Sequence, residues 1–158
     1  MVQGFEELSE EKFTNLKDGV AWITLLIAGA DGEIDENEKE WAQKLTEIRS
    51  YSLPNDLVNF YAEVGKDFSD KIEKLISELP NDKTERNRIL ARNISGLNDL
   101  LAELNPEMAS ELYKSFKSFA KHVAKASGGI LGMMSISKEE EELIDLPMLN
   151  EIHTEDQE

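Results

Sequence analysis

Asp31, Glu33, Asp35, Glu36 and Glu38 crowd the stretch "ADGEIDENE", residues 30–38, around a single glycine and directly after a long apolar run. Carboxylates at that density do one of two things: they ligate a hard cation, or they cap and polarise the start of a helix. An EF-hand loop tests the first. With Gly32 at position 6, Asp31 falls at 5, Ile34 at 8 and Glu38 at 12, all suitable, but positions 1 and 3 fall on Ile27 and Gly29. A standard calcium loop therefore fails. Capping explains more: Asp31-Gly32 is a turn dipeptide, Asp35 an N-cap, Glu38 its reciprocal partner three places on, and Glu36 a dipole partner. It leaves Asp31 and Glu33 as surplus like charge, which calls for screening or a cation.

A second set of candidates is basic. Lys114, Lys117, Lys121 and Lys125 follow helical spacing opposite Leu112, Phe116, Phe119 and Val123, giving a basic stripe on an otherwise acidic chain. Such a stripe suits an acidic protein partner or an anionic lipid surface, though amphipathic helices also carry lysine simply as a solvated face. Arg86, Arg88 and Arg92 on the preceding helix are candidates to extend it, and His122 lies at its edge. The apolar, glycine-rich loop that follows, with Ile130 and Leu131, is a further candidate for membrane or protein contact, against the alternative that it tucks into the core.

Composition narrows the field. The chain has 158 residues, 33 acids against 17 bases, a net charge of −16 and no cysteine. That charge argues against nucleic acid as a partner, and the missing thiols exclude disulfides, thiolate metal sites and thiol catalysis. Neither histidine follows a Glu by three places, no nucleophile-elbow serine occurs, and no phosphate-cradling glycine loop precedes a Lys-Ser or Lys-Thr. No enzymatic constellation is visible. Residues 1–11 carry no signal-peptide pattern, and the most apolar window, residues 19–30, is shorter than the roughly 20 residues a bilayer span needs. The expectation is a cytoplasmic protein, peripheral to the inner membrane if the basic stripe meets lipid.

Apolar residues recur at steps of three and four almost throughout, which predicts an all-α, single-domain bundle of about seven helices. Residues 1–8 form a short lead, 9–149 the domain, and 150–158 an acidic, fraying tail. The first helix starts at Ser9 with Phe13, Leu16, Val20, Ile23 and Ile27 inward, and the second follows Asp35 with Trp41, Leu45 and Ile48 inward. The repeated Leu-Pro-Asn-Asp at residues 53–56 and 79–82 punctuates two short helices. One long helix is expected over residues 82–104, then one that Asn105 caps, running to about residue 126, and a short one after Ser137, broken at Pro147.

Residues 34–38, "IDENE", and 136–140, "ISKEE", share an apolar residue before a cap and a Glu three places after it, which suggests two pseudo-repeated helix-loop-helix ends, although capping chemistry alone produces the same pattern. With "AGADGEIDENE" early and "SGGILGMMSISKEEEEL" late, the chain resembles the TerB-like (tellurite-resistance B) all-helical domain, a fold also found at the N-terminus of a membrane-anchored DnaJ-like co-chaperone. The resemblance implies a non-enzymatic module of tellurite and stress responses that binds Ca²⁺, Mg²⁺ or Mn²⁺ weakly. By motif position the ligands it implies are Asp31, Glu33, Asp35 and Glu38, with Glu140 from the second copy, where Ser137 replaces the capping acid. The alternative is a metal-free scaffold that uses the lysine stripe and the glycine-rich loop.

Overall fold

The computed structural model describes residues 4–30, 34, 36–52, 55–128 and 142–152. Within them the chain is all-helical, with α1 Glu10–Ala28, α2 Glu36–Ser52, α3 Asn55–Lys66, α4 Phe68–Glu78, α5 Lys83–Ser95, α6 Leu97–Glu103 and α7 Pro106–Gly128. No strand occurs among the described residues.

The architecture follows from α1. Its residues 19–28 are apolar on all sides except Thr24, and a helix of that kind is stable only when surrounded. It packs against each of the other six helices. Thr24 is tolerated there because its hydroxyl donates to the Val20 carbonyl at 2.8 Å. Ser9 starts α1 by accepting from the Lys12 N–H, and Gly29 ends it. Gly19 lets α6 come close: a Cβ at that position would sit 2.6 Å from Leu97 Cδ1.

Local signals are realised where expected. Asp82 accepts from the Glu85 N–H at the start of α5, and Asn105 Oδ1 accepts from the Glu107 N–H at the start of α7. Leu112, Phe116, Phe119 and Val123 are fully buried along α7. The expected long helix over residues 82–104 carries its seam of Leu90, Ile94, Leu97, Leu101 and Leu104 into the core, but it is interrupted at Gly96. There the Gly96 N–H is shared between the Arg92 and Asn93 carbonyls at 3.1 and 3.2 Å, a tightened turn that glycine accommodates at little steric cost.

In α2 the buried face differs from the expected one. Glu38, Ala42, Leu45, Thr46 and Arg49 are buried, whereas Trp41 and Ile48 are half-buried and flank that face. Both ends of the domain also extend beyond their helical patterns. Phe5 and Leu8 belong to the core, with the Phe5 ring 5.3 Å from both Phe13 and Phe60. At the other end Asn98 holds the chain on both sides of Leu149, donating to the Met148 carbonyl at 3.0 Å and accepting from the Asn150 N–H at 2.8 Å. Leu146 is fully buried with φ 49°, a left-handed conformation that burial of its side chain sustains. The expected helix after Ser137 and the second half of the proposed duplication fall largely on residues 129–141, outside the described residues.

Candidate functional site

The basic stripe is a structural feature. Lys114, Lys121 and Lys125 are exposed on α7 and Lys117 is half-buried, its Nζ 5.4 Å from the centroid of the Tyr113 ring. Among the described residues none of the four makes an ion pair. They line a groove of about 440 Å³ together with Tyr113, Ser118, His122 and, from the C-terminal segment, Glu151 and Ile152. A larger groove, about 760 Å³ between α1, α5 and α6, mixes Lys12 and Arg92 with Glu11, Asp99 and Glu103, and one of about 490 Å³ between α2 and α4 mixes Lys39 and Lys44 with Glu36, Glu40, Glu47 and Glu73, so neither has a single electrostatic character.

Beneath the lysine groove lies a charge that the sequence does not announce. Arg49 of α2 is 5% exposed and reaches across to α3 and α7. Its Nη1 donates to the Ser115 carbonyl and Oγ at 2.9 Å and to the Tyr61 hydroxyl at 3.2 Å, and its Nη2 donates to Ser118 Oγ at 2.9 Å. The guanidinium carbon also lies 5.3 Å from the centroids of both Tyr61 and Phe119. Hydroxyls, a carbonyl and two π faces solvate this cation, but among the described residues no carboxylate neutralises it. Its field therefore adds to that of the lysines above. Burial raises the Tyr61 phenol above its ordinary value, against the opposing effects of Arg49 and Ser115, so the ring keeps its proton beside the guanidinium.

His122 senses the same field. Partial burial, then Arg49 and Lys125, hold its imidazole below the usual histidine value. A depressed histidine stabilises the fold above its unfolded pKa of about 6.5 and loses that contribution as pH falls through the folded value. Between pH ~7.5 and ~5.5 the wild type is expected to lose more stability than His122→Gln, measured as urea midpoints at matched ionic strength.

The arginines expected to extend the stripe do not. Arg86 is buried and donates through Nη2 to the Gly29 carbonyl at 2.7 Å. Arg88 pairs with Glu85 on its own helix, and Arg92 lines the mixed groove beside α1. Arg86 instead carries its positive charge to the C-terminal end of α1, where it complements the helix dipole.

Of the residues expected to hold a cation, the structure places Glu38, 1% exposed on α2. Asp31, Glu33, Asp35 and Glu140 lie outside the described residues, as do Ile130 and Leu131. Among the described residues no three acids or histidines form a group able to hold a metal ion, and no helix is long and apolar enough to cross a membrane.

Arg49, Ser115 and Ser118 were absent from the sequence expectation. The available signal was spacing: Glu38, Ala42, Leu45 and Arg49 follow steps of four, three and four, the same rhythm as the flanking apolar set. No family model, curated protein or solved structure matches the chain.

Proposed function

We propose that the protein is a non-enzymatic, TerB-like binding module whose lysine groove on α7 receives an acidic segment of a partner protein, in the stress-response setting that the resemblance implies. The observation that carries this reading is the set of four lysines, without ion pairs among the described residues, above the buried Arg49, on a chain whose net charge is −16. Field lines from five cations converge on one groove, the arrangement that attracts and orients an anionic partner. The groove lies between α7 and the non-helical Glu151 and Ile152.

Fluorescence anisotropy with a labelled octaglutamate peptide tests this reading. Binding should weaken as salt rises, and Lys117→Glu with Lys121→Glu should lower affinity at least about tenfold. Affinity unchanged by the double variant would overturn the proposal. Phosphatidylserine vesicles in place of the peptide provide the membrane arm: retention of vesicles without peptide binding would assign the groove to lipid.

A second reading keeps the acidic loop as a weak, oxygen-only site for Ca²⁺, Mg²⁺ or Mn²⁺. Glu38 favours it as the member of the implied ligand set that the structure describes, a carboxylate at the start of α2 directly after the loop in sequence. Millimolar metal is then expected to raise the Tm over that in chelator, and Asp31→Asn to remove the rise. No shift with any of the three metals would sink this reading.

A further inference from the structure

Ser118 occupies an unusual position in the groove. It is half-buried on α7 with Lys114 four residues before it and Lys121 three residues after it, so all three share one face of the helix. Its Oγ accepts from Arg49 Nη2 at 2.9 Å, and no protein group accepts its proton among the described residues. A hydroxyl whose oxygen accepts from a cation is polarised and becomes a stronger donor. That proton is left for something in the groove.

Resting on the reading of the groove as an anion-binding surface, we propose that Ser118 is the centre of a discrete oxyanion subsite that selects a phosphoryl group, carried as a phosphorylated side chain on the acidic partner segment. Three cations bear on the hydroxyl: Lys114 and Lys121 line the same groove on its own helix, and Arg49 donates to it from behind. A phosphate monoester carries close to two negative charges near neutral pH and three terminal oxygens, against one charge and two oxygens for a carboxylate. The subsite therefore gains more from the phosphoryl group. One oxygen takes the Ser118 proton, and the others face the flanking ammonium groups, whose flexible stems adapt to a tetrahedral anion.

Arg49 acts as a positioning residue: it orients and polarises the serine without being exposed to the groove. Glu151, the acid among the described lining residues, repels carboxylate and phosphate alike and sets the affinity of the groove more than its preference. Neither Tyr113 nor Ile152 brings an acid to the subsite, and their apolar surfaces limit water around the bound group.

The test uses two labelled acidic peptides that differ only by one phosphate on a central serine, with anisotropy read at constant ionic strength. The phosphorylated peptide should bind about tenfold more tightly, and inorganic phosphate should displace it better than chloride at the same ionic strength. Ser118→Ala should cut that preference at least about threefold, and Ser118→Thr should restore it. Equal affinity for the two peptides in the wild type, or a preference undiminished by Ser118→Ala, would overturn the subsite while leaving the lysine groove intact. Failure of both peptides to bind would overturn both readings together. Capture of phosphatidylserine vesicles but not of phosphopeptide would reassign the phosphoryl chemistry to lipid and would also overturn the proposal.

Discussion

Arg49→Ala is expected to lower the unfolding free energy by about 4 kcal/mol, the sum of lost charge-assisted hydrogen bonds and an unfilled volume in the core. The guanidinium is the shared partner of Tyr61, Ser115 and Ser118, and it joins α2 to α3 and α7 at one point. Removing it leaves the buried Ser115 carbonyl without that donor and takes a cation from the Tyr61 and Phe119 rings. The sign is not trivial, because a buried charge without a carboxylate is itself costly. Arg49→Met tests that point: it keeps most of the stem volume and abolishes the desolvation cost, so its loss should be about half that of alanine. Urea unfolding of the two variants and the wild type measures the difference. If methionine is as damaging as alanine, the hydrogen bonds dominate; if methionine is neutral, the charge is kept for the groove and not for the fold.

Phe60→Ala is the second large effect, about 4 kcal/mol, within the range for a phenylalanine removed from a closed core. Phe60 is fully buried at the centre of an aromatic cluster. Its ring lies 5.3 Å from Phe5, 6.1 Å from Phe13, 5.2 Å from Tyr61 and 6.3 Å from Phe116. It therefore joins the N-terminal segment, α1, α3 and α7 through one side chain. The loss should appear in the urea midpoint and also as faster amide exchange around Phe5 and Leu8, since their burial depends on the same cluster. An unchanged exchange pattern at Phe5 would show that the N-terminal segment is held by other contacts.

Helix starts were legible because they are local. Ser9, Asp82 and Asn105 each cap the helix their spacing announced, since a capping side chain needs only its own backbone a few residues on. The core seams of α1 and α7 were legible for a related reason: strongly apolar residues at steps of three and four leave a single face to bury.

What escaped was non-local. In α2, Trp41 and Ile48 outweigh Ala42 in hydrophobicity, yet α3 and α7 close on the face that holds Ala42 and Arg49 because a small residue and a long, stacking one fit between them. Gly96 sits inside a pattern whose leucines continue across it, so periodicity alone gives no sign of the interruption. Phe5 belongs to no helix, and only tertiary packing reveals its burial. The site shows the same division. The lysine stripe is a one-helix pattern and could be read directly, whereas the Arg49–Ser118 contact spans 69 residues of chain, and no spacing rule reaches that far.

Binding of an acidic partner in the α7 groove is tested by a ¹⁵N chemical-shift titration of the full chain with unlabelled octaglutamate at low salt. Shifts are expected to concentrate on the amides of Tyr113, Lys117, Ser118, Lys121, His122 and Ile152, with saturation that weakens as salt is raised. Shifts clustered instead along α1 and α6, or scattered evenly over the surface, would contradict it.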